Sequence, residues 1–314
     1  MKLRNLGKSG LKVSLVGLGC NNFGRRIDLE TASRVVDKAL EMGITLFDTS
    51  DSYGNRGGSE TFLGKILGPR RKDVVLATKF SSQMDDEGRM KGASRRYIMS
   101  AVEASLRRLQ TDYIDLYQQH WYDPETPIEE TLRALDDLVH QGKVRYIGCS
   151  NFAAWQVVDA QWTSRQLGLD SFTSCQNEYS VLVRQAEKEL IPAMESFGLG
   201  LLPYFPLACG LLTGKYKKDT PPPKDSRMAV WPDLAGRYFS GENWKKVEQL
   251  EAFCAERGHT LLELAFSWLA SRPRVASVIA GATRPEQVDQ NARAADWSLT
   301  AEDIAEVDRL TAEA

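Results

Sequence analysis

Beyond residue 13 the chain alternates between short apolar runs and longer segments whose apolar residues recur at helical spacing. The short runs predict strands at Val13–Gly17, Thr45–Asp48, Val74–Lys79, Ile114–Gln119, Tyr146–Ser150, Phe172–Asn177, Gly200–Tyr204 and Val275–Ala280. Between them the spacing predicts helices over Glu30–Met42, Ser59–Leu67, Arg95–Leu109, Ile128–Gln141, Trp155–Leu167 and Glu187–Phe197. Trp244–Arg257, Leu261–Ser271, Pro285–Arg293 and Ala301–Thr311 follow. Gly43 and Gly142 stand where helices stop. The strands are apolar almost throughout, as strands buried on both faces of a parallel sheet are. Eight such repeats predict an α/β fold, a single (β/α)8 TIM barrel covering residues 1–314. The competitor is a doubly wound open sheet, whose first strand should run into GxGxxG. Here Gly17 opens GLGCNN, which lacks the third glycine. Residues 2–12 predict an N-terminal β-hairpin lying as a lid on the bottom of the barrel. Residues 216–242 form a long Pro-rich loop after strand 7, of the kind that borders an active site or folds over a ligand.

Charge and composition narrow the class. A formal net charge of −2 over 314 residues gives no electrostatic case for nucleic acid or an anionic membrane. No apolar run reaches the roughly 18 residues of a bilayer span. The N-terminus, MKLRNLGKSG, lacks a signal-peptide core. Five dispersed cysteines without a CxxC pair fit a reducing compartment. The expectation is a cytoplasmic protein, monomeric by default because no heptad or apolar face argues for assembly.

In a barrel, chemistry sits where the strands end. The second strand ends LFDTSDSYG, with Asp48 at its tip and Tyr53 in the loop beyond. The third ends VVLATKF, with Lys79, and the fourth IDLYQQHW, with His120. Singly, each has an ordinary reading: a turn or cap, packing, a snorkelling lysine, a structural histidine. Together they form a coherent set on neighbouring strands. Tyrosine, with a reference pKa near ~10, is a poor acid at neutral pH. A nearby ammonium lowers that pKa; Lys79 can supply it and Asp48 can hold Lys79 in place. His120 can donate a hydrogen bond to a substrate oxygen. Two donors around one oxygen stabilise an alkoxide as it forms, which suits hydride addition to a carbonyl, the hydride coming from a cofactor.

These segments resemble the aldo-keto reductase superfamily over nearly the whole chain. LFDTSDSYGNRGGSE, VVLATKF and DLYQQHW are similar to the segments carrying its catalytic tetrad, which implies that role for Asp48, Tyr53, Lys79 and His120. VRYIGCSNF and SCQNEYS resemble the stretches that hold a nicotinamide carboxamide, implying Ser150, Asn151 and Gln176. In LLPYFPLACGLLTGKY the resemblance implies that Tyr204 stacks on the nicotinamide. Phe205, Pro206, Leu207, Gly210, Leu211 and Lys215 would then follow the pyrophosphate. VIAGATRPEQVDQN resembles the adenosine-phosphate segment, implying Gly281, Thr283, Arg284, Gln287, Gln290 and Asn291. Independently, Arg284 just before a helix start is a reasonable phosphate site. Many NADPH-specific members carry a lysine and a second arginine where this chain has Gly281 and Gln287. The implied cofactor is NADPH, with NADH as the alternative.

Asn21, Phe23, Trp121 and Trp231 are the candidate substrate-pocket residues, beside Tyr53, and aromatic walls suit apolar carbonyl compounds. The resemblance leaves two other functions open. One is a nicotinamide-sensing subunit with little turnover, as in relatives that sit on potassium channels. The other is a Schiff-base aldolase using Lys79.

Overall fold

The computed structural model describes residues 1–223, 226–230 and 236–312. The chain opens with an antiparallel hairpin of β1 (Leu3–Asn5) and β2 (Lys12–Ser14), in which Leu3 pairs with Ser14. There follow β3 (Val16–Gly19), α1 (Leu29–Glu41), β4 (Leu46–Asp48), α2 (Tyr53–Leu67), β5 (Val75–Phe80), α3 (Arg95–Leu109) and β6 (Ile114–Gln119). Next come α4 (Ile128–His140), β7 (Val144–Ser150), α5 (Ala154–Leu167), β8 (Ser174–Gln176), α6 (Leu190–Phe197) and β9 (Gly200–Leu201). After the long loop stand α7 (Gly241–Glu256), α8 (Leu261–Ser271), β10 (Val278–Gly281), α9 (Pro285–Arg293) and α10 (Ala301–Thr311).

Strands β3 to β10 form one parallel sheet in the order β10-β3-β4-β5-β6-β7-β8-β9. The two ends meet. Leu201 N–H donates to Arg274 O at 2.7 Å, and Ala276 N–H to Leu201 O at 2.9 Å, so the sheet curls into the expected (β/α)8 barrel. Side chains alternate between two cores. Leu46, Ala77, Leu116, Leu202, Ala276 and Ile279 fill the interior, while residues such as Val36, Val102, Leu135 and Phe266 pack between strands and helices. The hairpin lies on the bottom as predicted: its Leu6 and Val13, both fully buried, join the interior cluster.

Local chemistry sets the element ends. The Asp28 carboxylate accepts from Thr31 N–H at 2.9 Å at the start of α1, and the Ser94 hydroxyl accepts from Tyr97 N–H at the start of α3. Two predicted elements differ. The run Val13–Gly17 straddles β2 and β3 because the Ser14 hydroxyl donates to Val16 O at 2.7 Å and accepts from Thr45 N–H, which breaks the strand between them. The periodic stretch from Glu187 splits into a short 3-10 turn (Gln185–Glu187) and α6, because Pro192 fits only the first turn of a helix. Among the described residues, no helix is long and apolar enough to cross a membrane.

Candidate active site

Every parallel strand delivers its last residues to one end of the barrel. There a cleft of about 1330 Å³ is lined by Asp48, Tyr53, His120, Ser150, Gln176, Tyr204 and Gly281, among others. Asp48, Ser150, Gln176 and Gly281 end β4, β7, β8 and β10, and His120 follows directly on β6.

At the floor, Lys79 is wholly buried. Its ammonium donates to Asp48 Oδ1 and Oδ2 at 2.9 and 2.7 Å and to Thr49 O at 2.8 Å. Asp48 also accepts from Gln176 Nε2 at 2.8 Å and from Gln118 Nε2 at 3.4 Å. Burial alone pulls the Lys79 pKa down. Asp48 and then Tyr53 outweigh that pull and leave it above the usual lysine value. Lys79 Nζ lies 5.0 Å from the centroid of the Tyr53 ring.

The expectation that Lys79 would lower the Tyr53 pKa needs correction. Lys79 acts in that direction, but burial of the phenol is the larger effect and Asp48 opposes the lysine, so the pKa is raised. Tyr53 is therefore a firmly protonated donor.

Tyr53 owes its position to an uncommon turn. Gly54, Asn55, Arg56 and Gly57 have φ of 68°, 60°, 65° and 109°, one left-handed turn before the regular helix over 58–67. At Gly54 a Cβ would stand 2.5 Å from both Phe23 O and Ser59 N, so only glycine fits. The Tyr53 and His120 rings meet edge to face with centroids 5.8 Å apart.

His120 Nδ1 lies 3.2 Å from both Ser50 Oγ and Ser82 Oγ. Burial, then the Lys79 charge, pushes its pKa to about 3, so the ring is neutral at physiological pH. A neutral ring that accepts at Nδ1 carries its proton on Nε2, available to an oxygen in the cleft.

Beside this floor lies a cluster of amides and hydroxyls. Asn151, at φ 59°, donates from Nδ2 to His120 O and Ser150 Oγ at 3.1 Å each. Tyr204 OH donates to Asn151 Oδ1 at 2.7 Å, which fixes the ring beside the floor. The cleft then runs along Phe205, Pro206, Leu207, Gly210 and Lys215 to Thr283, Arg284, Gln287, Gln290 and Asn291. Arg284 stands at the N-terminal end of α9, where amide donors and dipole favour an anion. Gln287 Oε1 is turned inward and accepts from Thr283 N–H at 2.8 Å.

This donor set suits a dinucleotide: amide-binding groups at one end, cations and a helix start at the other. Glycine keeps the way open. A Cβ at Gly281 would come 3.2 Å from Asn22 Nδ2 and 3.3 Å from Asn21 Oδ1, filling the space between them. The volume exceeds the ~300–1,000 Å³ of a drug-sized pocket, leaving room for a dinucleotide and a small substrate together.

Of the residues singled out from sequence, nearly all line this cleft, including Asn21 and Trp121. Two do not. Phe23 and Leu211 are buried in the outer core, where their apolar side chains pack under the loops rather than into the cleft. Trp231 lies outside the described residues. The long loop does border the cleft, through Pro223, Ser226 and Arg237. Arg237 and Tyr238 both donate to Glu178, tying the loop to the end of β8. Sequence reasoning missed Gln118, Ser50 and Ser82, which touch Asp48 or His120. Their one signal is strand parity: Gln118 is two residues before His120.

Comparison with known proteins identifies the family of the chain. The sequence profile of the Aldo/keto reductase family matches residues 15–312. The chain is 39% identical over 306 residues to a "Probable voltage-gated potassium channel subunit beta" of Arabidopsis thaliana, covering 94% of this chain and 92% of that protein. A rice protein (Oryza sativa subsp. japonica) of the same name is 37% identical over 305 residues, with the same coverages of 94% and 92%. An "Uncharacterized oxidoreductase YrpG" of Bacillus subtilis (strain 168) is 38% identical over 312 residues, covering 96% of this chain and 93% of that protein.

Proposed function

The chain belongs to the aldo/keto reductase family, and from that premise we propose that it reduces aldehydes or ketones to alcohols with NADPH, using Tyr53 as the general acid. The carrying observation is the meeting of a protonated phenol and a neutral imidazole over a buried Lys79–Asp48 pair, at the floor of a cleft long enough for a dinucleotide.

Ser150, Asn151 and Gln176 would hold the carboxamide of the nicotinamide, Tyr204 would face its ring, and Lys215 and Arg284 would meet its phosphates. When bound, the nicotinamide supplies the hydride. His120 Nε2–H and Tyr53 O–H hold the carbonyl oxygen between them and stabilise the negative charge that develops on it. Tyr53 then passes its proton to that oxygen, and Lys79, held by Asp48, balances the phenolate left behind. The aldolase alternative does not fit: Lys79 is enclosed and held as an ammonium, whereas a Schiff-base nucleophile must be neutral and reachable.

NADPH oxidation with a reactive aromatic aldehyde tests the proposal, comparing wild type with Tyr53→Phe. Cofactor affinity is expected to be retained. Turnover is expected to fall at least by the ~10²–10⁴-fold that general acid catalysis contributes. A variant that kept most of its rate would remove Tyr53 from the role. The second reading is a nicotinamide-sensing subunit with little turnover, which the two plant relatives, named as probable potassium channel subunits, fit only loosely. Stoichiometric NADPH binding with no turnover on any carbonyl would select it.

A further inference from the structure

Behind the tetrad lies a second buried carboxylate that the proposed reaction does not use. Asp51, only 1% exposed, sits three residues beyond Asp48. The Ser50 hydroxyl stands between it and the histidine, 3.1 Å from Asp51 Oδ1 and 3.2 Å from His120 Nδ1. We propose that Asp51 is a positioning residue: through Ser50 it sets which ring nitrogen of His120 carries the proton, and so whether the ring can hold a carbonyl oxygen. This rests on the reductase reading of the cleft.

The surroundings of Asp51 give it an unusual charge balance. From α2 it faces Glu60, which is wholly buried. From α3 it faces Arg108 and Tyr97, but Arg108 Nε is paired with Glu60 Oε2 at 2.7 Å. From β6 it faces Tyr117, whose buried hydroxyl has no partner among the described residues. On the cleft side stand Tyr53 and, beyond it, Lys79, which is committed to Asp48. The nearby cations are thus taken by other carboxylates. Asp51 is left with neutral donors, the Ser50 hydroxyl and Tyr97 OH at 3.5 Å, while the Ser52 backbone N–H donates to Ser50 Oγ at 3.3 Å and Ser52 Oγ lies 3.0 Å from that same atom. Burial, and then repulsion from Glu60, raises its pKa to about 7.

The relay has two states. A protonated Asp51 donates to Ser50 Oγ, which passes its own hydrogen to His120 Nδ1. The imidazole proton then sits on Nε2, facing the cleft as a donor. An ionised Asp51 takes the Ser50 hydrogen for itself, and Ser50 offers only a lone pair to Nδ1. The ring proton moves to Nδ1, and Nε2 turns a lone pair toward the carbonyl oxygen. Ser82, whose hydroxyl rotates freely between donor and acceptor, follows the ring in either state. Because His120 stays neutral down to a pH of about 3, the tautomer is its only variable across the physiological range.

The test reads the tautomer directly. Full-length protein labelled with 15N-histidine contains three histidines, His120, His140 and His259, which single substitutions of the latter two assign. In wild type, His120 Nδ1 is expected to be unprotonated at pH 6 and protonated at pH 8. In Asp51→Asn, whose amide does not titrate, the protonation of Nδ1 should be the same at pH 6 and pH 8. Ser50→Ala should also abolish the pH-dependent exchange. A wild-type ring whose tautomer is the same at pH 6 and 8, or an exchange that persists in Asp51→Asn, overturns the proposal. For carbonyl reduction, kcat/KM in wild type should fall about tenfold from pH 6 to pH 8 and stay level in Asp51→Asn. The spectra need no turnover. An inactive protein would therefore sink the reductase reading, while the spectra would still decide the role of Asp51.

Discussion

The buried charge at Asp51 carries a stability consequence that is independent of catalysis. Its carboxyl rises from the ordinary 3.8 to about 7 on folding. A raised carboxyl pKa means that the folded state keeps a proton the unfolded chain has released. Its contribution to stability is therefore full below pH 3.8 and drains away as pH rises to about 7. At about 1.4 kcal/mol per pH unit, roughly 2 kcal/mol is lost by pH 5 and about 4 kcal/mol by pH 8. Asp51→Asn removes the charge while keeping shape and hydrogen bonds. It should match wild type at pH 4 or below and exceed it by about 4 kcal/mol at pH 8. In a chain of this size that corresponds to a melting midpoint higher by roughly 8 °C at pH 8. Thermal unfolding of both proteins between pH 4 and pH 8, followed by tryptophan fluorescence, measures the difference. Equal midpoints at pH 8, or a gap that does not narrow as pH falls, would show that Asp51 is compensated in the fold and refute the reasoning.

Lys79→Met leaves Asp48 buried without its cation and should cost about 3–5 kcal/mol. Adding Asp48→Asn should restore much of that stability without restoring turnover, as denaturation and NADPH-oxidation assays would report. Gly54→Ala forces a Cβ to 2.5 Å from two backbone atoms at φ 68°. It should cost about 2 kcal/mol or more in a denaturation curve and displace Tyr53. Arg284→Ala should raise the Kd for NADPH about tenfold and barely change that for NADH, by fluorescence titration. Equal effects on both cofactors would place Arg284 away from the 2′-phosphate.

The barrel was legible because its strands are apolar on both faces and its helices amphipathic, two periods that do not mimic each other. The ionisable residues at the strand ends were legible because an apolar strand seldom closes on a titratable side chain by accident: Asp48 ends β4, Lys79 is the penultimate residue of β5 and His120 directly follows β6. What escaped depends on direction. Phe23 and Leu211 occupy loops bordering the cleft but point into the outer core, and loop side-chain direction follows no period. The raised pKa of Tyr53 is not legible in sequence, because the burial that outweighs the Lys79 cation arises only in the folded chain. Ser50 and Ser82 are ordinary loop serines until folding brings both within 3.2 Å of His120 Nδ1.

The seam of the barrel joins the first parallel strand to the last, Val16 beside Val278. A chain emerging from the ribosome N-terminus first must therefore hold the free edge of β3 unsatisfied until almost the whole protein has been made. The hairpin residues Leu6 and Val13 wait as long, since Leu202, Ala276 and Ile279 complete their surroundings. Any nascent chain stalled before β10 would present an open strand edge and an uncovered apolar lumen, the features that recruit chaperones or other unfinished chains. Shortening the protein by its last forty residues should thus give aggregation rather than a smaller folded unit.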